Sequence, residues 1–371
     1  MASITPYETA AGKRYRVRYR KPDHSQTDKR GFKTKRDAEL YLASVEVSKA
    51  KGEWVDPTLS RATVEAWSPN WLVSHSNLKP TTRAAYEWIL TKYILPKWGT
   101  TPLVAVTHAG VQEWVTKLGT TYAPSTVRKI HVIFSGLMSY AVRDRRIPRN
   151  PCDDVRLPRI KGSDRAYLSH DQVAELASLV KDYDNLVFFL AYTGLRWGEM
   201  AALKVKRVDM LRRRLDVAEA ITEVDGAIVW CTPKNHERRS VPFPSFLVDM
   251  LAAQCDGKGR EDLLFTTERG KLLRGSNFRN SYFNPAALEF AERHPEIPRV
   301  TPHALRHTAA SLAISAGASV LSVQRMLGHA SAAMTLDVYS DLFDDDLDAV
   351  ASALDARARQ TDVGKTWASR S

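Results

Sequence analysis

The sequence predicts a multidomain, mainly helical chain in three parts: a small α+β module at the N-terminus, an all-α middle domain and a mainly helical α+β C-terminal domain. Length is the first reason, because 371 residues exceed what one ordinary core holds. The second is a change of hydrophobic period along the chain, from two residues near the N-terminus to the helical 3.6 beyond Thr63. The third is composition: with 44% hydrophobic and 26% charged residues the chain can build packed cores and is neither collagenous nor disordered.

Between Arg14 and Arg20, arginines at even positions alternate with Tyr15, Val17 and Tyr19, the pattern of a strand with one cationic and one apolar face. Gln26–Phe32 reads as a second strand, and residues 35–51 as a helix with Ala38, Leu40, Tyr41, Leu42 and Val45 inward, ended by Gly52. These elements make a module of residues 1–57. Helices near 64–76, 81–94, 108–118 and 125–143 make the middle domain, residues 62–146, with Pro69 weakening the case for the first of them. Residues 147–164 contain Pro148, Pro151 and Pro158 and read as an interdomain linker. Ser169 and Gln172, three apart, form a capping box that opens the first helix of the last domain, residues 165–343. Helices near 185–192 and 196–203 follow, then strands near 215–217, 228–231 and 239–243, then mostly helices. In the tail, residues 344–371, Leu347, Val350, Ala351, Leu354 and Ala358 recur at helical spacing.

The 54 Lys and Arg exceed the 42 Asp and Glu by 12, which makes polyanions the first partners to consider. The excess is densest from Ala11 to Arg36, where 11 basic residues face 2 acidic ones. Arg14, Arg16, Arg18, Arg20 and Lys33 in the first module, with Lys79, Arg83, Arg128 and Lys129 in the middle domain, are the expected DNA-contacting groups. The longest apolar run, Leu186 to Tyr192, is far too short for a membrane span, and Met1 to Ala10 lacks the pattern of an export leader. The protein is therefore expected to act where it is made. Cys152, Cys231 and Cys255 lie far apart and form neither a disulfide framework nor a zinc motif. Gly364-Lys365-Thr366 has Arg359 where a phosphate-binding loop needs glycine, His236-Glu237 lacks a second histidine, and Asp344 to Asp346 sit at a helix start. No metal and no cofactor are expected.

What remains is a set of phosphate-handling residues. Thr193-Gly194-Leu195-Arg196-Trp197-Gly198-Glu199 reads as a turn opening a helix, with Arg196 and Glu199 on one face. Thr301-Pro302-His303-Ala304-Leu305-Arg306 reads as a second helix start, Thr301 as cap and Pro302 in first position, with His303 and Arg306 near the positive helix end. A His and an Arg three apart carry little weight alone, and His236 with Arg239 is another such pair. His307 lies about 100° around the helix from its neighbour and is expected to be structural. Leu327-Gly328-His329 ends a short helix, and Tyr339 follows ten residues later.

The order and context of TGLRWGE at 193–199, HALRHT at 303–308, LGH at 327–329 and VYS at 338–340 resemble the tyrosine recombinases, the phage-integrase family. Cys231-Thr232-Pro233-Lys234 is similar to the family's β-hairpin lysine, and the overall layout resembles mycobacteriophage integrases. The resemblance implies an N-terminal arm-type DNA-binding domain, a helical core-type DNA-binding domain and a catalytic domain of tyrosine recombinase type. It implies a site-specific recombinase that joins phage and bacterial attachment sites through a covalent 3′-phosphotyrosyl intermediate, without metal or ATP. Tyr339 would be the nucleophile, Arg196 and Arg306 the clamp on the phosphoryl oxygens, and His303 and His329 donors to those oxygens or managers of the phenol's proton. Lys234 would protonate the leaving 5′ oxygen, and Glu199 would hold its neighbours. Implied partners are double-stranded DNA with core and arm sequences, three further copies in a homotetramer, a host DNA-bending protein and an excisionase. The implied location is the host bacterial cytoplasm, at the nucleoid. The tail could pack on its own domain or dock on a neighbouring protomer. The competing functions are a catalytically silent DNA-binding protein of the same fold and a type IB topoisomerase-like enzyme.

Overall fold

A computed structural model describes residues 2–22, 24–50, 54–55, 59–160, 165–233, 238–339, 352 and 354–358. The chain divides into two compact units, Met1–Gly162 and Ser163–Ser371.

The first unit begins with an antiparallel sheet in the order β1 (Ser3–Thr9), β2 (Gly12–Arg20), β3 (Gln26–Phe32), followed by helix α1 (Lys35–Ala50). Strand β1 was not expected, because SITPYET shows no sustained alternation; pairing with β2, as in Tyr7 opposite Arg14, recruits it. Val17 and Tyr19 are buried with Ala38 and Val45 of α1 and with Trp54, so the odd positions of β2 face the helix. Leu40, expected inward, is 63% exposed. Two residues along a helix turn the side chain by about 200°, so Leu40 falls opposite Ala38. The other face of β2 exposes Arg18 and Arg20, while Arg16 lies 3.7 Å from Asp28.

The helices that follow are α2 (Val64–Ser74), α3 (Pro80–Ile89), α4 (Leu95–Trp98), α5 (His108–Gly119) and α6 (Pro124–Arg143), with a wide π turn, Leu90–Ile94, joining α3 to α4. Thr63 caps α2 by accepting the Ala66 N–H at 3.2 Å, and the helix runs through Pro69 without ending there. Their core is aromatic: Trp98 stacks on Phe134 at 5.6 Å and meets Trp114 edge-on at 6.0 Å. Part of the stretch expected as linker is built into this core, since Ile147, Cys152 and Val155 are buried there. Arg128 donates from Nε to the Pro158 carbonyl at 2.8 Å and holds the strap further along.

The second unit opens with α7 (His170–Leu179), whose capping box of Ser169 and Gln172 forms as expected. Then come α8 (Asp184–Thr193), α9 (Trp197–Ala201), and strands β4 (Val208–Asp209), β5 (Arg214–Val217), β6 (Ala220–Val224), β7 (Ala227–Cys231) and β8 (Arg239–Pro242). The strands form a sheet β4-β5-β8 and a hairpin β6-β7, turned by Asp225 and Gly226 at φ of 49° and 78°. The remaining helices are α10 (Val248–Cys255), α11 (Gly275–Asn277), α12 (Asn284–Arg293), α13 (Ala304–Ser315), α14 (Val320–Leu327) and α15 (Ala332–Tyr339). Leu186, Val187, Phe189 and Leu190 of α8 are buried in one core with Leu305 of α13 and Leu176 of α7, so α8 is the central pillar. Helix α13 starts at Ala304, later than expected: His303, not Thr301, occupies the cap position, and the Thr301 hydroxyl oxygen accepts the Ala304 N–H at 3.2 Å. The tail expected to be helical lies outside the described residues except for 352 and 354–358.

Candidate active site

Helix α8 stops at Gly194, which adopts a left-handed φ of 64°. A Cβ there would stand 2.7 Å from Leu327 Cδ2, so only glycine fits both the backbone and the contact with α14. The chain then extends through Leu195 into Arg196, which caps α9. Its backbone N–H donates to Glu199 Oε2 at 3.0 Å and its Nη1 to Oε1 at 2.9 Å. Gly198 lets α9 lie on β6, because a Cβ would sit 2.2 Å from the Ile221 carbonyl oxygen. Gly198→Ala is therefore expected to cost about 1–3 kcal/mol through forced backbone displacement, read as a lower denaturant midpoint. An unchanged midpoint would show that β6 yields freely.

Glu199 is 2% exposed and takes a second guanidinium: Arg239 of β8 donates from Nη1 at 3.0 Å and from Nη2 at 2.6 Å. Burial works against its charge, but the hydrogen bonds and charge of Arg239, with the Arg196 backbone and side chain, prevail and hold its pKa at about 2. Arg239 also donates to the Met326 carbonyl at 3.1 Å and so ties β8 to the end of α14. It was absent from the expected set; its one trace in sequence was the second His-Arg pair, and that trace said nothing of Glu199.

Arg306 of α13 is 3% exposed and donates to the Gly194 carbonyl and the Leu327 carbonyl, each at 2.6 Å. Burial, with Arg196 and Arg239 close by, presses its pKa down to about 9, which still leaves it cationic at neutral pH. Arg196 Nη2 reaches the Gly328 carbonyl at 3.4 Å. The carbonyls of the two helix-ending glycines thus go to the two arginines, that of Gly194 to Arg306 and that of Gly328 to Arg196. Gly328 ends α14 at a left-handed φ of 64°, where a Cβ would meet Arg239 Cδ at 2.9 Å.

His329 follows, its Nδ1 3.0 Å from the fully buried Thr335 hydroxyl. Its ring lies nearly parallel to that of Tyr339, 10° apart in plane and 6.4 Å between centroids. Burial, then the charges of Arg306 and Arg196, lower its pKa to about 4, so it is a neutral imidazole at physiological pH. Tyr339 ends α15 and is 1% exposed, and burial pushes its phenol up to about 12 against the pull of Arg306. Arg165 and Tyr167 donate to the Val338 carbonyl at 2.7 and 3.3 Å and hold the last turn of α15.

The histidine at the phenol differs from the one expected. Tyr339 Oη lies 2.9 Å from His307 Nδ1, whereas His303 is exposed and its ring stands edge-on to His307 at 5.1 Å. His307 lies about 100° from its immediate neighbour, but 303 and 307 are four apart and share a face. His307 is the deeper of the two because it sits a turn inside α13.

Arg196, Arg238, Arg239, Arg325 and His329 line a cavity of about 330 Å³. His303 lines another, of about 590 Å³, with Trp197, Arg274 and Arg279. Lys234 lies outside the described residues. Among the described residues no group of three or more His, Cys, Asp or Glu is placed to hold a metal ion, and no helix is long and apolar enough to cross a membrane. Of the groups expected to meet DNA, Arg18, Arg20, Lys33 and Lys129 are exposed, and Arg14 and Lys79 are half-buried. Arg83 pairs with Glu87 at 3.0 Å, and Arg16 and Arg128 hold the contacts given above.

Residues 166–345 match the phage integrase family, and residues 64–157 match the phage integrase central domain. The integrase of Mycobacterium phage D29 is 28% identical over 322 residues, 83% of this chain and 84% of the phage protein. Among solved structures, the Tn1549 transposon integrase in complex with a circular intermediate DNA superposes with a TM-score of 0.68 at 20% identity, covering 79% of this chain and 99% of that one. A lambda integrase dimer bound to a COC′ core site gives 0.60 at 17% identity, covering 90% and 93%. Both share the fold.

Proposed function

The chain belongs to the phage integrase family and is a site-specific tyrosine recombinase, and from that premise we propose that it joins phage and bacterial attachment sites with Tyr339 as its nucleophile. The observation that supports the assignment is that Tyr339 lies against His329 and within the field of Arg306, while Arg196, Arg239 and His329 line one cavity and Glu199 holds the two arginines.

In the proposed reaction the Tyr339 oxygen attacks the scissile phosphorus, an O–P bond forms and the bond to the 5′ oxygen breaks. The pentacoordinate state gathers charge on its nonbridging oxygens, and Arg196 and Arg306 neutralise it. His329 and His303 donate hydrogen bonds there, and Lys234 gives the leaving 5′ oxygen its proton. The phosphotyrosyl ester conserves the energy of the broken bond, so another 5′-hydroxyl can reverse the step without ATP. At 1% exposure Tyr339 is out of reach of a duplex, so α15 must shift when DNA binds.

The basic face of the N-terminal sheet is assigned to arm sequences and the middle domain to core sequences. Four copies would assemble on the paired sites, aided by a host DNA-bending protein and, for the reverse direction, an excisionase. The test is a nicked suicide duplex incubated in EDTA: a covalent adduct is expected, with the phosphonucleotide mapped by mass spectrometry to Tyr339. Attachment to any other residue overturns the assignment. Arg196→Ala is expected to slow adduct formation by about 10² to 10³, with DNA retention in a gel-shift assay preserved. Loss of binding in parallel would instead make Arg196 a structural residue.

A further inference from the structure

We infer that His307 is a further catalytic residue, the acceptor of the Tyr339 proton as the phenol attacks. This rests on Tyr339 being the nucleophile. The hydroxyl oxygen, which is the reacting atom, lies 2.9 Å from His307 Nδ1, within the range for direct proton transfer. His329, although stacked along the same ring, has its Nδ1 engaged with Thr335. His303 is exposed, and its ring stands edge-on to His307 at 5.1 Å.

The groups that face His307 come from several elements. Arg306 flanks it on α13 and His303 at the cap of that helix, Arg165 approaches from the stretch before α7, Tyr339 comes from α15, and His329 from the turn after α14. Burial, then the charges of His303, Arg165 and Arg306, lower its pKa to about 4, so at neutral pH the imidazole is uncharged and able to accept. The phenol, raised to about 12, cannot ionise unaided at that pH. Arg306 and His307 are consecutive on α13, about 100° apart around the helix, so their relation is fixed by α13 and does not depend on α15.

The step balances. The phenol proton passes to Nδ1 as the O–P bond forms, giving an imidazolium. The P–O5′ bond breaks and the 5′ oxygen takes a proton from a separate donor. On rejoining, the imidazolium returns its proton to the departing phenolate.

The test is single-turnover cleavage of the nicked duplex by the full chain and by His307→Ala and His307→Asn. Asparagine keeps a hydrogen-bonding group at the Nδ1 position but cannot take up the proton. Both variants are expected to cleave about 10² to 10⁴ more slowly, with a rate that climbs tenfold per pH unit between about pH 6 and 9 where the parent is level. Added imidazole should restore part of the His307→Ala rate. A 5′-bridging phosphorothiolate, whose sulfur leaves without a proton, should not restore either variant. Parental rate and a level pH profile in His307→Asn would reduce the contact to a seat for the ring, and rescue by the phosphorothiolate would make His307 the donor instead. Either result overturns the inference while leaving the mapped Tyr339 adduct, and hence the recombinase assignment, intact.

Discussion

Tyr339→Phe is expected to abolish the covalent adduct while leaving a folded protein that binds DNA. The substitution removes one oxygen and nothing else. The ring is 1% exposed, in a cluster with Ile314, Val323 and Leu327, and phenylalanine fills the same space. The loss to stability is one hydrogen bond to His307, about 1 kcal/mol. The loss to chemistry is complete, because a phosphotyrosyl ester needs the phenolic oxygen. A denaturing gel of the suicide-substrate reaction measures it. An adduct that persists in the variant would place the nucleophile elsewhere and remove the basis for every role assigned around Tyr339.

The second large effect is expected on stability. Glu199→Ala leaves Arg239, whose side chain is 10% exposed, and Arg196 facing each other without the carboxylate between them. Removing one member of a buried ion pair costs about 3–5 kcal/mol, because the remaining charge stays desolvated. Cleavage should fall as well, since Glu199 fixes the Arg196 backbone and guanidinium together. The pH dependence has a defined sign. The carboxyl titrates at about 2 when folded against 4.5 ordinarily, so its contribution is present above pH 4.5 and disappears as pH falls through 2. By linkage that contribution is about 3 kcal/mol. Denaturant midpoints from pH 7 down to about pH 2 should therefore converge for the parent and Glu199→Ala at the acid end. Equal midpoints at pH 7 would show that the carboxylate does not hold the two arginines.

Some elements were legible from local pattern and some were not. The alternation from Arg14 to Arg20 defines β2 because a strand sorts side chains by parity, and Ser169 with Gln172 defines the start of α7 because a capping box closes within four residues. Strands β1 and β6 carry weak patterns of their own and exist through their partners, β2 and β7. Leu40 is apolar, yet the helix turns it outward, since hydrophobicity does not choose between faces when neighbouring positions are also apolar.

The site divides the same way. Sequence by itself determined which chemical groups the chain possesses and the local turns that carry them: the two helix-ending glycines, Gly194 and Gly328, Arg196 after the first, His329 after the second, and a tyrosine ten residues beyond that histidine. Only the tertiary structure decided who meets whom. It carried the Gly194 carbonyl to Arg306 and the Gly328 carbonyl to Arg196, brought Arg239 to Glu199 from a strand 40 residues away, and aimed His307 rather than His303 at the phenol. The reason is geometric. Spacing along a helix or strand is set by covalent repeat and can be read from a string of residues, whereas the approach of α13 to α15 and of β8 to α9 is set by how whole cores pack.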